Sequence, residues 1–296
     1  MEKEYEKCLL CERRCGRNRA AGELGYCRMS ATPKIARAAL HMWEEPCISG
    51  EGGSGTIFFS GCSLGCIFCQ NREISGGDVG VEVNGERLAE IMLRLEGEGA
   101  HNINFVTPTH FATTLISSVR LARERGLSLP IVYNTSSYDS PECIKMLDGT
   151  VDIYLADYKY HLDRTAERLS NAGNYPAAAR AAIAEMVRQR PHPVIENGVM
   201  RAGVIVRLLL LPGHVAEAKL AAKYFYETYG DSVYISLMSQ YTPMPGMPRP
   251  LDRRVTHEEY SELVDYAIEK GVRLAFVQEG SAASESFIPP FDMTGV

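Results

Sequence analysis

Three cysteines, Cys62, Cys66 and Cys69, stand in the stretch GCSLGCIFCQN, directly after the apolar run TIFFS. Thiolates favour soft metals, and three of them on one tight loop can hold three corners of a cuboidal 4Fe-4S cluster while leaving the fourth iron open. A zinc site normally closes with a fourth protein ligand, from a second Cys-x-x-Cys or a histidine pair, and neither follows nearby. The spacing favours iron-sulfur chemistry over zinc, with inert thiols as the remaining reading.

A second set, Cys8, Cys11, Cys15 and Cys27, lies in a segment with little apolar material of its own. Four thiolates can close around one metal centre, and a segment so poor in core residues depends on such a centre for its order. Zinc and a second iron-sulfur cluster both suit the spacing. Zinc needs neither an open position nor a redox partner, which tips the reading toward it. Cys47 and Cys143 stand apart and read as packed residues.

The chain of 296 residues is 45% hydrophobic and 23% charged, enough to bury a full core. A net charge of -6 gives no general pull toward nucleic acid or anionic membranes. The opening MEKEYEKCLLC lacks the apolar centre of a signal peptide, and stretches such as VIVRLLLLPG are too short and interrupted to span a bilayer. The cytoplasm is therefore expected, and in a reducing compartment clustered cysteines outside a disulfide framework point to metal sites.

These groups need elements to position them. Beyond residue 50, apolar or β-branched runs near 56–60, 102–107, 130–135, 152–157, 204–211 and 233–238 read as strands, with VRLAFVQ as a last one. Amphipathic segments between them read as helices: a cap at Ser140-Pro141, a capping box of Thr256 with Glu259, and stops at Gly126, Gly230 and Gly271 support the assignment. Six β-then-α units in succession imply an α/β fold with a parallel sheet and right-handed crossovers. A barrel and an open doubly wound sheet both satisfy that pattern. Both place active residues at the C-terminal ends of strands.

The first strand runs into Cys62. The second ends at Thr107, Pro108, Thr109 and His110, where two hydroxyls offer acceptors and the proline fixes a turn; His110 either caps the helix starting near Ala112 or touches a ligand. The fourth ends at Asp157-Tyr158-Lys159. Strand alternation puts Asp157 and Lys159 on one side, where an ammonium beside a carboxylate suits an amino acid headgroup. Arg207 interrupts VIVRLLLL and must be paired or face a ligand. Gln240, Tyr241 and the methionines of LMSQYTPMPGMP follow the sixth strand as a specificity loop or a packed cover. GEGGSG, at 50–55, has the glycine spacing of a dinucleotide-binding turn, but it precedes a strand and opens no helix.

Cys62-x3-Cys66-x2-Cys69, with Phe68 before the last cysteine and Asn71 two after it, resembles the signature of the radical S-adenosylmethionine (radical SAM) superfamily. Within it the chain is similar to uncharacterised proteins related to pyruvate formate-lyase activating enzyme. The resemblance covers essentially the whole sequence, including GSGTIFFSGCSLGCIFCQN, NINFVTPTHF, DIYLADYKY and SLMSQYTP. It implies a partial (β/α)6 TIM-like barrel over residues 51–296, C-terminal extension included, behind a Cys-rich metal-binding segment over 1–50. It implies a 4Fe-4S cluster on Cys62, Cys66 and Cys69, with S-adenosylmethionine on the open iron. One electron then breaks the sulfonium bond to the 5' carbon, and the resulting 5'-deoxyadenosyl radical abstracts hydrogen.

Contacts to that cofactor fall, by the same resemblance, to Phe68, Asn71, Asp157 and Lys159, with Thr107, Thr109 and His110 standing where the superfamily commonly has Gly-Gly-Glu; Arg207 joins them as a candidate on its own position, with a structural salt bridge as its other reading. The implied partners are a reductant such as flavodoxin or ferredoxin and, if the chain is an activase, a glycyl-radical enzyme or another protein substrate. Radical modification of a small molecule or a peptide residue is the alternative. A non-catalytic iron-sulfur electron-transfer or metal-binding protein is the alternative of another class; the three-cysteine loop and the Asp157-Lys159 pair argue against it.

Overall fold

The computed structural model describes residues 3–278 and 288–296. Its strands are β1 (Lys34–His41), β2 (Ser54–Phe59), β3 (Val81–Glu82), β4 (Ile103–Val106), β5 (Ile131–Thr135), β6 (Ile153–Asp157), β7 (Val194–Glu196), β8 (Val199–Leu209), β9 (Tyr234–Met238) and β10 (Ala275–Val277). They form one sheet in the order β10, β9, β8, β6, β5, β4, β2, β1, β3, with β7 paired antiparallel to β8. From β2 to β10 the strands of this path run parallel, and their spatial order is their chain order.

That order decides between the two architectures. An open doubly wound sheet reverses at a switch point, whereas here every right-handed crossover puts its helix on the same face. The sheet is therefore wound as a partial barrel. Among the described residues its end strands, β3 and β10, are not hydrogen-bonded to each other.

Burial explains why these runs are strands. Every residue of β2 and β4 is buried, as strands covered on both faces must be. Phe59 lies 5.9 Å from Phe105 and 5.5 Å from Phe111 between ring centroids; truncating one such ring costs about 3–5 kcal/mol. Outside, the helix Gly85–Gly97 turns Leu88, Ala89, Ile91, Met92 and Leu95 inward and is capped by Asn84, which accepts from the Arg87 amide. The Ser140 cap and the Thr256–Glu259 capping box form as the sequence implies.

Several elements escape the sequence pattern, among them β1 and the helix Asp163–Ser170. β1 mixes Lys34, Arg37 and His41 among its apolar residues and joins the sheet as an antiparallel neighbour of β2, with Ala38 opposite Ile57. A boundary at residue 50 therefore falls between two hydrogen-bonded strands. The helix Asp163–Ser170 buries mainly Ala166 and Leu169 in an otherwise polar sequence, too weak an apolar stripe to stand out.

Candidate active site

The C-terminal ends of the strands open on a cavity of about 230 Å3. Cys62, Cys66 and Cys69 line one wall of it, on the loop that follows β2. Gly61 starts that loop at φ +83°, and a Cβ there would sit 2.6 Å from the Cys27 carbonyl oxygen and 2.5 Å from Met29 Cγ. Only glycine fits the turn and the close approach together. Leu64 is fully buried beneath the loop, and its amide donates to Cys62 Sγ at 3.4 Å. Phe68 packs edge-on against Tyr160 and Tyr241. Gln70 Nε2 donates to the Gln240 carbonyl at 2.8 Å, tying the loop to the chain after β9.

Burial pushes the Cys62 thiol pKa up and that of Cys69 up to about 12, with neighbouring thiols adding to it and Lys159 opposing. Such thiols stay protonated until a cation displaces the proton.

A charged floor faces the loop. Arg207 on β8 donates from Nε to Asp157 Oδ1 (2.6 Å), from Nη1 to Glu44 Oε2 (3.0 Å) and from Nη2 to Asn134 Oδ1 (2.5 Å). Lys159 Nζ donates to the other oxygen of Asp157 at 2.6 Å. Burial works against ionisation of Asp157, but Arg207 and Lys159 outweigh it and hold the carboxyl below its ordinary range. Burial likewise opposes the charge on Lys159, and Asp157 overrides it, so the ammonium persists. Glu45 behaves differently. Burial drives its pKa up despite Arg207, which stands 3.9 Å away, and among the described residues its Oε2 has no hydrogen-bond partner.

Most of the residues singled out by sequence meet here: Phe68, Asn71, Thr107, Asp157, Lys159 and Arg207 all line the cavity. Tyr158 points the other way, against Phe225, as alternation requires. Arg207 is both ion-paired and cavity-facing, so the two readings of it coexist. Thr109 and His110 are corrections. After Thr107, at φ +58°, the chain tightens into a single 3-10 turn over Thr109–Phe111 that carries both side chains into the protein. Thr109 meets Thr135 at 3.4 Å, and His110 Nε2 bonds the Ser60 carbonyl at 2.8 Å; neither residue lines the cavity. Burial, helped by Arg19, lowers the His110 pKa to about 3, so the ring is neutral.

Glu44, Asn134 and Tyr175 went unforeseen. Glu44 Oε1 accepts from Asn104 and Asn134 at 3.0 and 3.1 Å, and the Tyr175 hydroxyl accepts from the Lys159 amide at 2.8 Å. A signal existed for Asn134, which interrupts the buried strand IVYNT as Arg207 interrupts its own.

Comparison with known proteins settles the family. Residues 56–224, more than half of the chain, match the Radical SAM superfamily. The chain belongs to that superfamily. Uncharacterized protein MJ0674 of Methanocaldococcus jannaschii is 30% identical over 274 residues, 89% of this chain and 75% of that one. Among solved structures the radical SAM chain is similar to HydG, a maturase of the FeFe-hydrogenase, at a TM-score of 0.53 and 15% identity over 78% of this chain and 54% of that chain. It is also similar to methylornithine synthase (PylB), at 0.50 and 16% over 81% of this chain and 65% of that chain. These likenesses are of fold. The radical SAM chain spans somewhat under two thirds of methylornithine synthase and about half of HydG.

Membership implies a 4Fe-4S cluster and S-adenosylmethionine, and the residues present fit both. Three soft thiols on one loop line the cavity, the donor chemistry that an iron-sulfur cluster takes. The opposite wall supplies a fixed carboxylate and ammonium for an amino acid headgroup.

Proposed function

We propose that Cys62, Cys66 and Cys69 hold the 4Fe-4S cluster, that its fourth iron is left to S-adenosylmethionine, and that this enzyme uses the pair to abstract hydrogen from its substrate. The observation that carries the reading is the three-cysteine loop opening onto a cavity walled by Asp157, Lys159 and Arg207. When bound, the two groups supply one-electron reductive cleavage of the sulfonium.

The chain's own residues bind, orient and exclude. Lys159 offers its ammonium to the methionine carboxylate, and Asp157, kept ionised by Arg207, offers its carboxylate to the methionine ammonium. Thr107 and Asn71 add hydroxyl and amide contacts from the neighbouring strand end and the cysteine loop. Phe68 and Tyr241, both almost wholly buried, close the cavity against solvent. Glu44 and Asn134 brace Arg207, so the charged floor keeps its geometry when the cavity is loaded.

For the substrate we favour a protein or peptide segment, as an activating enzyme of a glycyl-radical partner would take. Trp43 on the cavity wall is 54% exposed and Ile67, within the cysteine loop, 44%, the kind of apolar surface that meets a macromolecule. The electron comes from a low-potential donor of the flavodoxin or ferredoxin type. All nine cysteines are free thiols, which suits the reducing cytoplasm. Among the described residues no helix is long and apolar enough to cross a membrane.

The test is anaerobic reconstitution with iron and sulfide, followed by S-adenosylmethionine and dithionite. Methionine and 5'-deoxyadenosine should form; an iron-replete sample that forms neither rejects the reading.

A further inference from the structure

The four cysteines of the N-terminal segment have no part in the cavity, yet the fold gathers them. Cys8, Cys11 and Cys27 are buried and Cys15 half-buried. The Cys8 carbonyl accepts from the Gly16 amide and the Cys8 amide donates to the Arg17 carbonyl, each at 3.0 Å, which folds Cys15 back beside Cys8. Cys27 Sγ and Cys15 Sγ lie 3.1 and 3.6 Å from one point, the place a Cβ on Gly25 would take.

Arg19 sits among them, 1% exposed. It donates to the carbonyls of Met29 (3.0 Å), His110 (2.6 Å) and Ser30 (2.5 Å) and to Cys8 Sγ (3.5 Å), and its guanidinium lies 5.0 Å from the Tyr5 ring and 5.7 Å from Phe111. None of these acceptors carries a formal charge when the thiol is protonated, and no carboxylate pairs with Arg19 among the described residues. A cation buried so completely needs an anion, or it costs several kcal/mol on the order of the desolvation of one ion. Four thiolates around a doubly charged metal core leave a dianion beside it.

We infer that Cys8, Cys11, Cys15 and Cys27 hold a second iron-sulfur cluster, coordinatively complete, that passes electrons to the loop of Cys62, Cys66 and Cys69. One observation favours a cluster over the zinc toward which the sequence reading leaned.

The two sets abut. Arg13, between Cys11 and Cys15, donates from Nε to the Ser63 carbonyl and from Nη2 to the Leu64 carbonyl, both at 2.9 Å, inside the core loop. Cys27 contributes its carbonyl to the contact that demands glycine at position 61, next to Cys62. A structural zinc could sit anywhere in the segment. An electron carrier has to sit here.

The relay moves one electron at a time. A reduced flavodoxin- or ferredoxin-type donor reduces the N-terminal cluster, which is reoxidised as the core cluster takes the electron on; no bond of the protein changes. This step rests on the proposed function, whereas the cluster itself does not.

The full chain with Cys62, Cys66 and Cys69 all replaced by Ala, purified and reconstituted without oxygen, separates the two. It should retain about four irons and four sulfides and give a reduced-cluster EPR signal that S-adenosylmethionine leaves unchanged. About one zinc without iron, or no metal, overturns the inference. If the triple variant does not fold, Cys8→Ala/Cys11→Ala in the intact core gives the converse readout: iron should fall by about half while the S-adenosylmethionine-sensitive signal stays, and unchanged iron overturns the site. The same double variant tests the relay. Turnover with dithionite should persist and turnover with a protein donor should fall at least tenfold; equal turnover with both overturns the relay and leaves the cluster.

Discussion

The two cysteine sets meet at one turn, where Gly61 packs against the Cys27 carbonyl, and they differ in what surrounds their sulfurs. The core loop faces a cavity with a carboxylate, an ammonium and a guanidinium across from it. The N-terminal set faces carbonyl groups, aromatic rings and one buried arginine. A centre that must accept a zwitterionic cofactor needs a vacancy and charges of both signs, all held still. A centre that only carries electrons needs closure and charge balance. Three thiolates against four is thus the smaller part of the difference; the larger part is the second wall, made from strands far away in sequence.

The comparison is broken most severely at the core ligands. Cys62→Ala, Cys66→Ala or Cys69→Ala should abolish 5'-deoxyadenosine formation while thermal melting of the metal-free chain stays close to the parent's, because the loop lies outside the sheet that carries the fold. Parent-rate product from any of the three would assign the cluster elsewhere. Next is Arg207→Ala. It leaves Asp157 and Glu44 facing each other without their shared cation, so urea titration of the metal-free protein should show a loss of about 3–5 kcal/mol. A loss below about 1 kcal/mol would mean that the floor is not a coupled network.

Lys159→Ala sharpens the contrast from the cofactor side. S-adenosylmethionine binding to the reconstituted protein should weaken by about 1.5–3 kcal/mol, roughly ten- to a hundredfold, with iron content unchanged. Unchanged affinity would show that Asp157 and Lys159 pair only with each other. His110 tests whether its role is structural. Its folded pKa of about 3 lies below the ordinary 6.5, so on acidification the unfolded chain takes up a proton that the folded chain refuses. Stability is lost as pH falls below about 6.5, at up to roughly 1.4 kcal/mol per pH unit. His110→Gln should therefore lose roughly 1–2 kcal/mol less than the parent between pH 6.5 and 5. Identical acid slopes would refute a buried neutral ring. The smallest effect is Thr256→Ala, which removes a helix cap remote from both centres: about 1 kcal/mol of stability, read by urea titration, and no change in S-adenosylmethionine affinity.

What was legible beforehand follows from locality. The cysteine loop, the Asp-x-Lys strand end, the Ser140 cap and the Thr256–Glu259 capping box are each contained in a few consecutive residues, so spacing and alternation expose them. Strand order was not local, and pattern alone, though it favoured the barrel, left the open sheet standing until the order of β2 through β10 separated them. Glu44 was out of reach for the same reason. It stands 163 positions from Arg207, and nothing around it in the sequence marks it as that residue's partner. Thr109 and His110 were candidates because they follow a strand end where the superfamily has Gly-Gly-Glu, with a helix cap as the other reading of His110; the turn after Pro108 takes only three residues to carry both away from the cavity.

The central claim is that the core cluster, and not its neighbour, is open to S-adenosylmethionine. Its most direct measurement is the EPR spectrum of the Cys8→Ala/Cys11→Ala variant, reconstituted and reduced without oxygen, before and after the cofactor is added. The expected result is a cluster signal that shifts on addition and decays as 5'-deoxyadenosine accumulates. A signal that neither shifts nor decays, from a sample with about four irons per chain, would contradict the account.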